Sequence, residues 1–298
     1  MKGIDVSTYQ RNVDYKKLKA AGIEFVIIRA SYGDVLSYPN QKDPMFDSHY
    51  KAATAAGLHV GAYHFTYALT PEKARREAQG FMSVVKGKKF DMPVYIDLES
   101  EPSSGYLPFK TGKANCSAMV KAFCDTLEDN GYWAGLYISR SPLQDYITTD
   151  VASRFSLWVA EYASKCNYSG TVDIWQYTST ARFNGYNGNL DADICYKDYP
   201  TLIKNAGKNG YTKPALKTLD TKGMKQGDKN LGVLELKATL HTARELGIIT
   251  QDVTIDNGFG SGTTAIVNNL LSKWGYKQNG IAGENFVKKL NTAIENKI

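Results

Sequence analysis

The segment Tyr95-Ile96-Asp97-Leu98-Glu99 carries the residues best suited to chemistry in this chain. Its apolar and aromatic residues are typical of a strand. Because side chains alternate between the two faces of a strand, Asp97 and Glu99 are expected on one side, with Cα atoms about 6.6 Å apart. Cleavage of an acetal needs a proton for the leaving oxygen and negative charge near the developing oxocarbenium ion. The pair therefore predicts acid–base chemistry of the glycosidase type.

Further acids lie in other predicted strands: Asp5 in the first and Asp191 in the last, with Asp193 close behind. The carboxyl ends of strands in a parallel barrel converge on one mouth. Like charges in a partly desolvated cleft raise the pKa of at least one member, and we predict that Glu99 is this protonated general acid. A lone Asp-x-Glu pair would fit a solvated strand end equally well, but acids on neighbouring strands favour catalysis.

Aromatic residues end several of the other predicted strands, and sugar rings stack on such faces. The alternative for each is core packing, which we expect for Phe65 and for some of the others. His64 is interpreted as a hydrogen-bonding residue of the mouth rather than a metal ligand. The predicted substrate-binding residues are Tyr63, His64, Tyr137, Tyr162, Trp175 and Asp193.

The first 200 residues alternate eight predicted strands with helical segments. The strands are Gly3–Ser7, Phe25–Ser31, His59–Phe65, Pro93–Glu99, Ala134–Ser139, Leu157–Tyr162, Asp173–Tyr177 and Leu190–Tyr196. Alternation of this kind predicts parallel pairing and right-handed crossovers, and eight strands close a barrel. The last three strands are joined by loops too short for a full helix. The predicted fold class is therefore α/β, an irregular TIM-like barrel with five βα units and eight strands, followed by a small, mainly helical domain.

Three of the five predicted helices start with a polar residue followed by proline, a pattern typical of helix N-termini. These starts are Asp43-Pro44, Thr70-Pro71 and Ser141-Pro142. Gln144 is placed to complete a capping box with Ser141. The remaining helices are expected near Tyr15–Ala21 and Ala114–Asn130.

The tail has a different pattern. Residues 201–228 are rich in Lys, Gly and Thr and are interpreted as a helix remnant plus linker. Helical spacing follows at Leu231–Leu246, Ala265–Leu271 and Phe286–Ile294, and a glycine-rich turn precedes each of the last two. We predict a catalytic barrel over 1–203, a linker over 204–228 and a helical domain over 229–298.

Composition excludes several classes of protein. The 298 residues are 43% hydrophobic and 12% aromatic, which argues against disorder. Their apolar runs fall far short of the roughly 20 residues needed to span a bilayer. The start, MKGIDVSTYQ, enters a strand pattern too early for a secretory signal. Residues 211–298 carry twelve basic and eight acidic residues of a chain whose net charge is +6, which fits either an anionic partner or a solvated lysine face.

Neither metal nor cofactor is predicted. The four cysteines match neither a zinc pair nor a disulfide scaffold and are expected to be reduced; they are Cys116, Cys124, Cys166 and Cys195. The histidines form no H-E-x-x-H motif, and the glycines around Phe259 lack the spacing of a dinucleotide site. The mild basicity has no accompanying nucleic-acid-binding motif.

Six ordered motifs over roughly residues 1–200 resemble the glycoside hydrolase family 25 muramidases. The motifs are Gly3-Ile4-Asp5-Val6-Ser7 with Gln10, Gly61-Ala62-Tyr63-His64-Phe65, Tyr95-Ile96-Asp97-Leu98-Glu99, Leu157-Trp158-Val159-Ala160-Glu161-Tyr162, Trp175-Gln176-Tyr177 and Leu190-Asp191-Ala192-Asp193. The resemblance implies hydrolysis of the β-1,4 bond between N-acetylmuramic acid and N-acetylglucosamine in bacterial peptidoglycan. It also implies that the fold is the irregular barrel described above.

By motif match, Glu99 corresponds to the acid/base, and Asp97, Asp5 and Asp191 to the surrounding acids. The resemblance implies retention of configuration, with the substrate acetamido group as nucleophile oriented by Asp97. Spacing leaves the outcome open, since retaining pairs lie about 5–5.5 Å apart, inverting pairs about 6.5–9.5 Å, and strand geometry spans both. The last motif departs from the family's usual Val-Asp-Leu-Asn, which leaves Asp193 as an alternative to Asp191.

The tail motifs Phe259-Gly260-Ser261-Gly262-Thr263 and Gly280-Ile281-Ala282-Gly283 are similar to those of small peptidoglycan-binding domains. Together the two resemblances predict a bacteriophage endolysin that binds peptidoglycan without inserting in the membrane and stays in the host cytoplasm until released to the wall. A bacterial autolysin acting outside the cell is the alternative origin. Two other functions stay open: a non-catalytic wall-binding protein and a chitinase-like barrel. Nothing in the sequence determines the oligomeric state.

Overall fold

The computed structural model describes residues 1–212 and 223–297. Backbone contacts divide the chain into two compact units, Met1–Thr212 and Lys213–Ile298. Each unit has its own apolar core.

The first unit is a closed barrel of eight strands in chain order. The strands are β1 (Lys2–Val6), β2 (Phe25–Tyr32), β3 (His59–Phe65), β4 (Val94–Asp97), β5 (Ala134–Ser139), β6 (Ser156–Ala160), β7 (Ile174–Ala181) and β8 (Leu190–Cys195). Neighbours from β1 to β7 pair in parallel, whereas β8 runs antiparallel to both β7 and β1. The predicted irregular α/β barrel is confirmed, and the reversed β8 accounts for much of its irregularity.

Seven α-helices belong to the described part of this unit. They are α1 (Tyr15–Ala20), α2 (Phe46–Ala55), α3 (Pro71–Val85), α4 (Lys113–Asp129), α5 (Arg140–Tyr146), α6 (Thr149–Arg154) and α7 (Tyr199–Ala206). Helix α6 was not predicted from the sequence. The β6–β7 connection has no helix, as its length predicted.

One predicted cap forms as expected and a second does not. The Thr70 side chain accepts a hydrogen bond from the Lys73 amide at the start of α3, with Pro71 at the first helical position. The predicted helix start at Asp43-Pro44 was wrong, because α2 begins only at Phe46. The Asp43 carboxylate instead binds a side chain of the barrel, described below.

The third predicted cap, at Ser141-Pro142, is also displaced. Helix α5 begins at Arg140, with Ser139 as an N-cap residue that makes no side-chain cap bond. Gln144 accepts a hydrogen bond from an Arg140 Nη atom at 2.7 Å instead of completing a capping box. Strand β5 therefore passes almost directly into its helix.

Large side chains fill the barrel interior at the amino ends of the parallel strands, and glycines leave space for them. A Cβ atom on Gly3 would lie 2.3 Å from the Phe25 ring, and one on Gly135 would lie 2.4 Å from the Tyr95 ring. Helix α7 closes this end with apolar residues that include Tyr199. Since the interior is packed at the amino ends of these strands, a ligand site in this barrel is expected at the opposite end.

The second unit contains helices α8 (Leu231–Glu245), α9 (Ser261–Lys273) and α10 (Glu284–Glu295) around one core. Gly260 and Gly283 occupy the same extended N-cap position before α9 and α10, so the two turn–helix motifs are structurally alike. The predicted linker over 204–228 starts within α7 of the first unit, and its residues 213–222 lie outside the described residues. In the described chain, every helix is too short or too polar to cross a membrane.

Candidate active site

A groove of about 650 Å³ opens at the end of the barrel where the parallel strands β1 to β7 finish and antiparallel β8 begins. Seven predicted site residues line it: Asp5, Asp97, Glu99, Asp191, Tyr63, Tyr137 and Tyr162. They come from six different strands or the loops directly after them. The closed barrel thus brings together acids that are almost 190 residues apart in the chain.

The strand register explains how the acids meet. Asp5 of β1 lies directly opposite Asp191 of antiparallel β8, which places both side chains on the same face at about 4.5–5.5 Å between Cβ atoms. Asp97 is the last residue of β4, so Glu99 lies on the following loop rather than on the strand as predicted. The Leu98 amide still donates to the Tyr137 carbonyl at 3.1 Å. The alternation therefore continues past β4 and turns Glu99 into the groove.

Burial raises the pKa of each acid in this cluster. The pKa of Asp97 lies well above its usual value because of burial and the nearby Glu99 charge, while Arg29 opposes the shift. Burial also raises the pKa of Glu99, helped by Asp191 and opposed by the neighbouring Tyr137 hydroxyl. Asp97 Oδ1 is buried without a hydrogen-bond partner in the described residues. These carboxyls hold protons to a higher pH than isolated ones.

The structure separates Asp191 from Asp193. Asp191 lines the groove, whereas Asp193 is only 1% exposed and lies beneath it. Asp193 Oδ1 accepts a hydrogen bond from Trp158 Nε1 at 2.8 Å, and Oδ2 has no partner among the described residues. The prediction that Asp193 contacts substrate is therefore corrected. Its charge lies beneath Asp5 and contributes to the raised pKa of that residue.

Gln176 connects the acids to the tyrosines of the groove. Its Oε1 accepts hydrogen bonds from the Tyr137 hydroxyl at 3.0 Å and the Tyr162 hydroxyl at 3.1 Å. Its Nε2 donates to Asp5 Oδ2 at 2.8 Å. Both ends of the amide are thus used, which holds four side chains from β1, β5, β7 and the loop after β6 in one arrangement.

His64 and Trp175 do not reach the groove, so both predictions are corrected. His64 is fully buried behind the barrel wall, where it contacts Ser31 and Glu77 and stacks on Phe123. Trp175 Nε1 donates to the Glu161 carbonyl at 2.8 Å. The physical reason is strand alternation: Tyr63 and Gln176 face inward, so the residues next to them face outward.

Sequence reasoning missed several residues of the groove. Phe65, assigned to the core, lines the groove instead. Other unpredicted lining residues include Tyr9, Arg29, Tyr32, Tyr67, Glu101 and Trp158. Arg29 had a readable signal, since it is a lone charge near the carboxyl end of an otherwise apolar strand. The loop residues Tyr9 and Glu101 had none, because no periodicity positions them.

In the parts of the chain that the structure describes, no cluster of His, Cys, Asp or Glu has the arrangement of a metal site. The four cysteines are free thiols, three of them buried. The described residues that line the groove supply carboxyls, hydroxyls and one guanidinium.

Comparison with known proteins agrees with this arrangement. Residues 4–186 match the family described as glycosyl hydrolases family 25. Because the match spans more than half of the chain, the protein belongs to this family. Residues 187–298 lie outside the match, and they include both β8 and the second unit.

The individual proteins to which the chain is similar include two lysozymes and an endolysin. The chain is 31% identical to the autolytic lysozyme of Clostridium acetobutylicum over 194 residues, which cover 65% of this chain and 55% of that protein. The crystal structure of the CTP1L endolysin aligns with a TM-score of 0.58 at 25% identity, covering 68% of this chain and 69% of that one. A bacterial lysozyme from Streptomyces coelicolor aligns with a TM-score of 0.57 at 25% identity, covering 69% and 96%. The chain thus spans about half the length of its Clostridium relative.

Proposed function

We propose that this protein is a lysozyme that hydrolyses the β-1,4 bond between N-acetylmuramic acid and N-acetylglucosamine in bacterial peptidoglycan. The observation that carries the proposal is the groove in which Glu99 lies among Asp5, Asp97 and Asp191. Membership in glycosyl hydrolases family 25 supports the same reaction.

In the first step, Glu99 donates its proton to the glycosidic oxygen as the bond to the sugar breaks. Its raised pKa, caused first by burial, keeps the acid form available to a higher pH than in an isolated carboxyl. The neighbouring carboxyls, when ionised, stabilise the positive charge that develops on the sugar ring.

In this same step, the acetamido oxygen of the substrate attacks the anomeric carbon as the glycosidic bond breaks and forms a cyclic intermediate, with Asp97 as the residue that orients the acetamido group. Buried Asp97 has one oxygen, Oδ1, without a hydrogen-bond partner among the described residues. This oxygen is able to accept a hydrogen bond from the acetamido N–H. In the second step, water attacks the anomeric carbon and displaces the acetamido oxygen, while Glu99, now ionised, takes the proton of that water. The product retains its configuration.

The second unit serves as a wall-binding domain in this proposal. Its two like turn–helix motifs and the basic excess of residues 211–298 support a role on an anionic, insoluble wall, where tethering raises the local concentration of the barrel. We propose that the whole protein acts as a phage endolysin, with a bacterial autolysin as the alternative origin.

Mass spectrometry of digested peptidoglycan tests the proposed bond directly. We expect fragments with N-acetylmuramic acid at the reducing end. Fragments ending in reducing N-acetylglucosamine, or freed peptides, would contradict the proposal. Wall binding without any cleavage would favour a carbohydrate-binding protein, and turnover of chitin oligomers alone would favour a chitinase-like enzyme.

A further inference from the structure

The groove contains a single cation. Among its lining residues in the described chain, only Arg29 carries a positive charge, against five acids. The acids are Asp5, Asp97, Glu99, Glu101 and Asp191. Since these carboxyls repel an anionic substituent elsewhere along the groove, Arg29 offers the favourable contact for one.

Arg29 is held in place from three sides. Its Nε donates to Asp43 Oδ2 at 2.8 Å, and Asp43 is fully buried. Asp43 also accepts hydrogen bonds from the amides of Thr8 and Met45. The guanidinium lies 5.3 Å from the ring centre of Tyr9 and 5.6 Å from that of Tyr32. Its orientation is therefore fixed before a ligand arrives, which reduces the entropy lost on binding.

The terminal nitrogens of Arg29 make no hydrogen bond within the described part of the chain. Over residues 1–212 and 223–297, its only hydrogen bond is the one from Nε. The side chain is 13% exposed, and it lines the groove. Two parallel N–H groups from the Nη atoms match the two oxygens of a carboxylate, as in other bidentate arginine contacts.

We propose that Arg29 binds a carboxylate of the glycan substrate and so distinguishes muramyl strands from uncharged ones such as chitin. The inference rests on the proposed function and adds a specificity-determining contact to it. Two sources of this carboxylate occur in peptidoglycan: the lactyl group of muramic acid, where no peptide is attached, and the peptide where one is.

A purely electrostatic role is the competing interpretation. Arg29 opposes the rise in the pKa of Asp97, so its loss would also change catalysis without any contact to a substrate carboxylate. Such a role would affect charged and neutral substrates alike. The two roles are therefore separated by changing the charge of the substrate.

The experiment compares three substrates. The first is glycan strands stripped of peptides by an amidase, which carry free lactyl carboxylates. The second is the same strands after conversion of these groups to neutral methylamides with carbodiimide and methylamine. The third is strands with peptides attached. Each is tested with the full-length protein, Arg29→Met, Arg29→Lys and the control Arg76→Met, which removes an arginine from an exposed ion pair outside the groove.

We expect methylamidation to lower kcat/KM of the unmodified protein about ten- to hundredfold, mainly through KM. Arg29→Met should lose the same factor on carboxylate strands and become insensitive to methylamidation, and Arg29→Lys should recover part of it. Arg76→Met should behave as the parent. If Arg29→Met lowered kcat/KM on peptide-bearing strands alone, the carboxylate that Arg29 binds would belong to the peptide.

Two results would overturn the inference. One is an unmodified protein that cleaves carboxylate and methylamide strands equally well and cleaves peptide-bearing strands no faster than either. The other is Arg29→Met with equal losses on both strands and a shifted pH profile. The first comparison needs no variant, so it holds even if unpairing Asp43 prevents Arg29→Met from folding. An unmodified protein that cleaves no muramyl strand at all would instead refute the proposed function.

Discussion

The behaviour of Glu99 depends on the groups around it, and Tyr137 is the neighbour that holds its pKa down. Removing this hydroxyl with Tyr137→Phe should therefore raise the pKa of Glu99 further. Because a general acid works only while protonated, the alkaline limb of the pH–kcat profile should move to higher pH. The measurement is this profile on soluble glycan strands.

Tyr132→Phe is the matched control, since Tyr132 is partly buried but does not line the groove. Its profile should coincide with that of the parent. An alkaline limb that stays in place, or moves to lower pH, in Tyr137→Phe would contradict the assigned role of the Tyr137 hydroxyl.

The buried carboxyl of Asp193 should make the folded protein less stable near neutral pH. Burial, with a smaller effect of Asp191, raises its pKa well above the usual value, so the folded protein binds this proton more tightly than the unfolded chain. That advantage is full below the unfolded pKa and is lost as pH rises through the folded pKa. Asp193→Asn keeps an oxygen for Trp158 and should unfold at higher temperature at pH 7, by about 2–4 °C per kcal/mol gained.

The stabilisation by Asp193→Asn should shrink toward pH 4, where the native carboxyl is protonated as well. Thermal unfolding followed by circular dichroism at both pH values measures the difference. A variant that is equally or less stable than the parent at pH 7 would show that the buried carboxylate is better solvated than its surroundings indicate.

Single residues of the site could be predicted only where alternation positions them. The period of two placed Asp97, Glu99 and Tyr63 correctly, but it was not applied to His64, which follows Tyr63 and must face the opposite side. Arg29 could have been found by the same reasoning. Tyr9 and Glu101 could not, because loop geometry depends on contacts between distant segments.

The elements of the barrel depend on close packing at glycines. Gly135 leaves space for the Tyr95 ring, and an added Cβ would also lie 2.5 Å from the Ser156 carbonyl oxygen. Gly135→Ala should therefore destabilise the protein by about 1–3 kcal/mol or more. Chemical denaturation with urea measures the free energy of unfolding.

Gly80→Ala serves as the control in this experiment. It lies in α3, where an added Cβ would make only ordinary contacts, the nearest at 3.4 Å from Val35 Cβ. Alanine favours a helix over glycine by about 1 kcal/mol, so this variant should be as stable as the parent or more so. Equal stability of the two variants would contradict the packing argument.

Strands were easier to predict than helix starts. All eight strands were located from short apolar and aromatic runs, whereas two of three proline-marked starts were displaced. Asp43 explains one of these errors, because its carboxylate accepts a hydrogen bond from Arg29 and does not cap a helix that begins at Pro44. The reversal of β8 was not predicted either, since pairing direction depends on the path of the connection rather than on residue pattern.

The whole molecule combines a barrel and a helical unit with separate cores. We expect a fragment of residues 1–212 to keep the kcat of the full chain on soluble glycan strands. On insoluble walls it should be about ten- to hundredfold slower, because the tethering contribution is lost. Release of soluble fragments from purified walls is the measurement, and an equal loss on both substrates would contradict independent roles.

Replacement of Glu99 is the most direct test of the proposed mechanism, because glutamine preserves the size of the side chain but cannot donate a carboxyl proton. We predict that Glu99→Gln binds peptidoglycan strands as tightly as the parent and unfolds at a similar temperature. It should release no measurable reducing ends from them. Substantial residual turnover by the folded variant would contradict the assignment of Glu99 as the general acid.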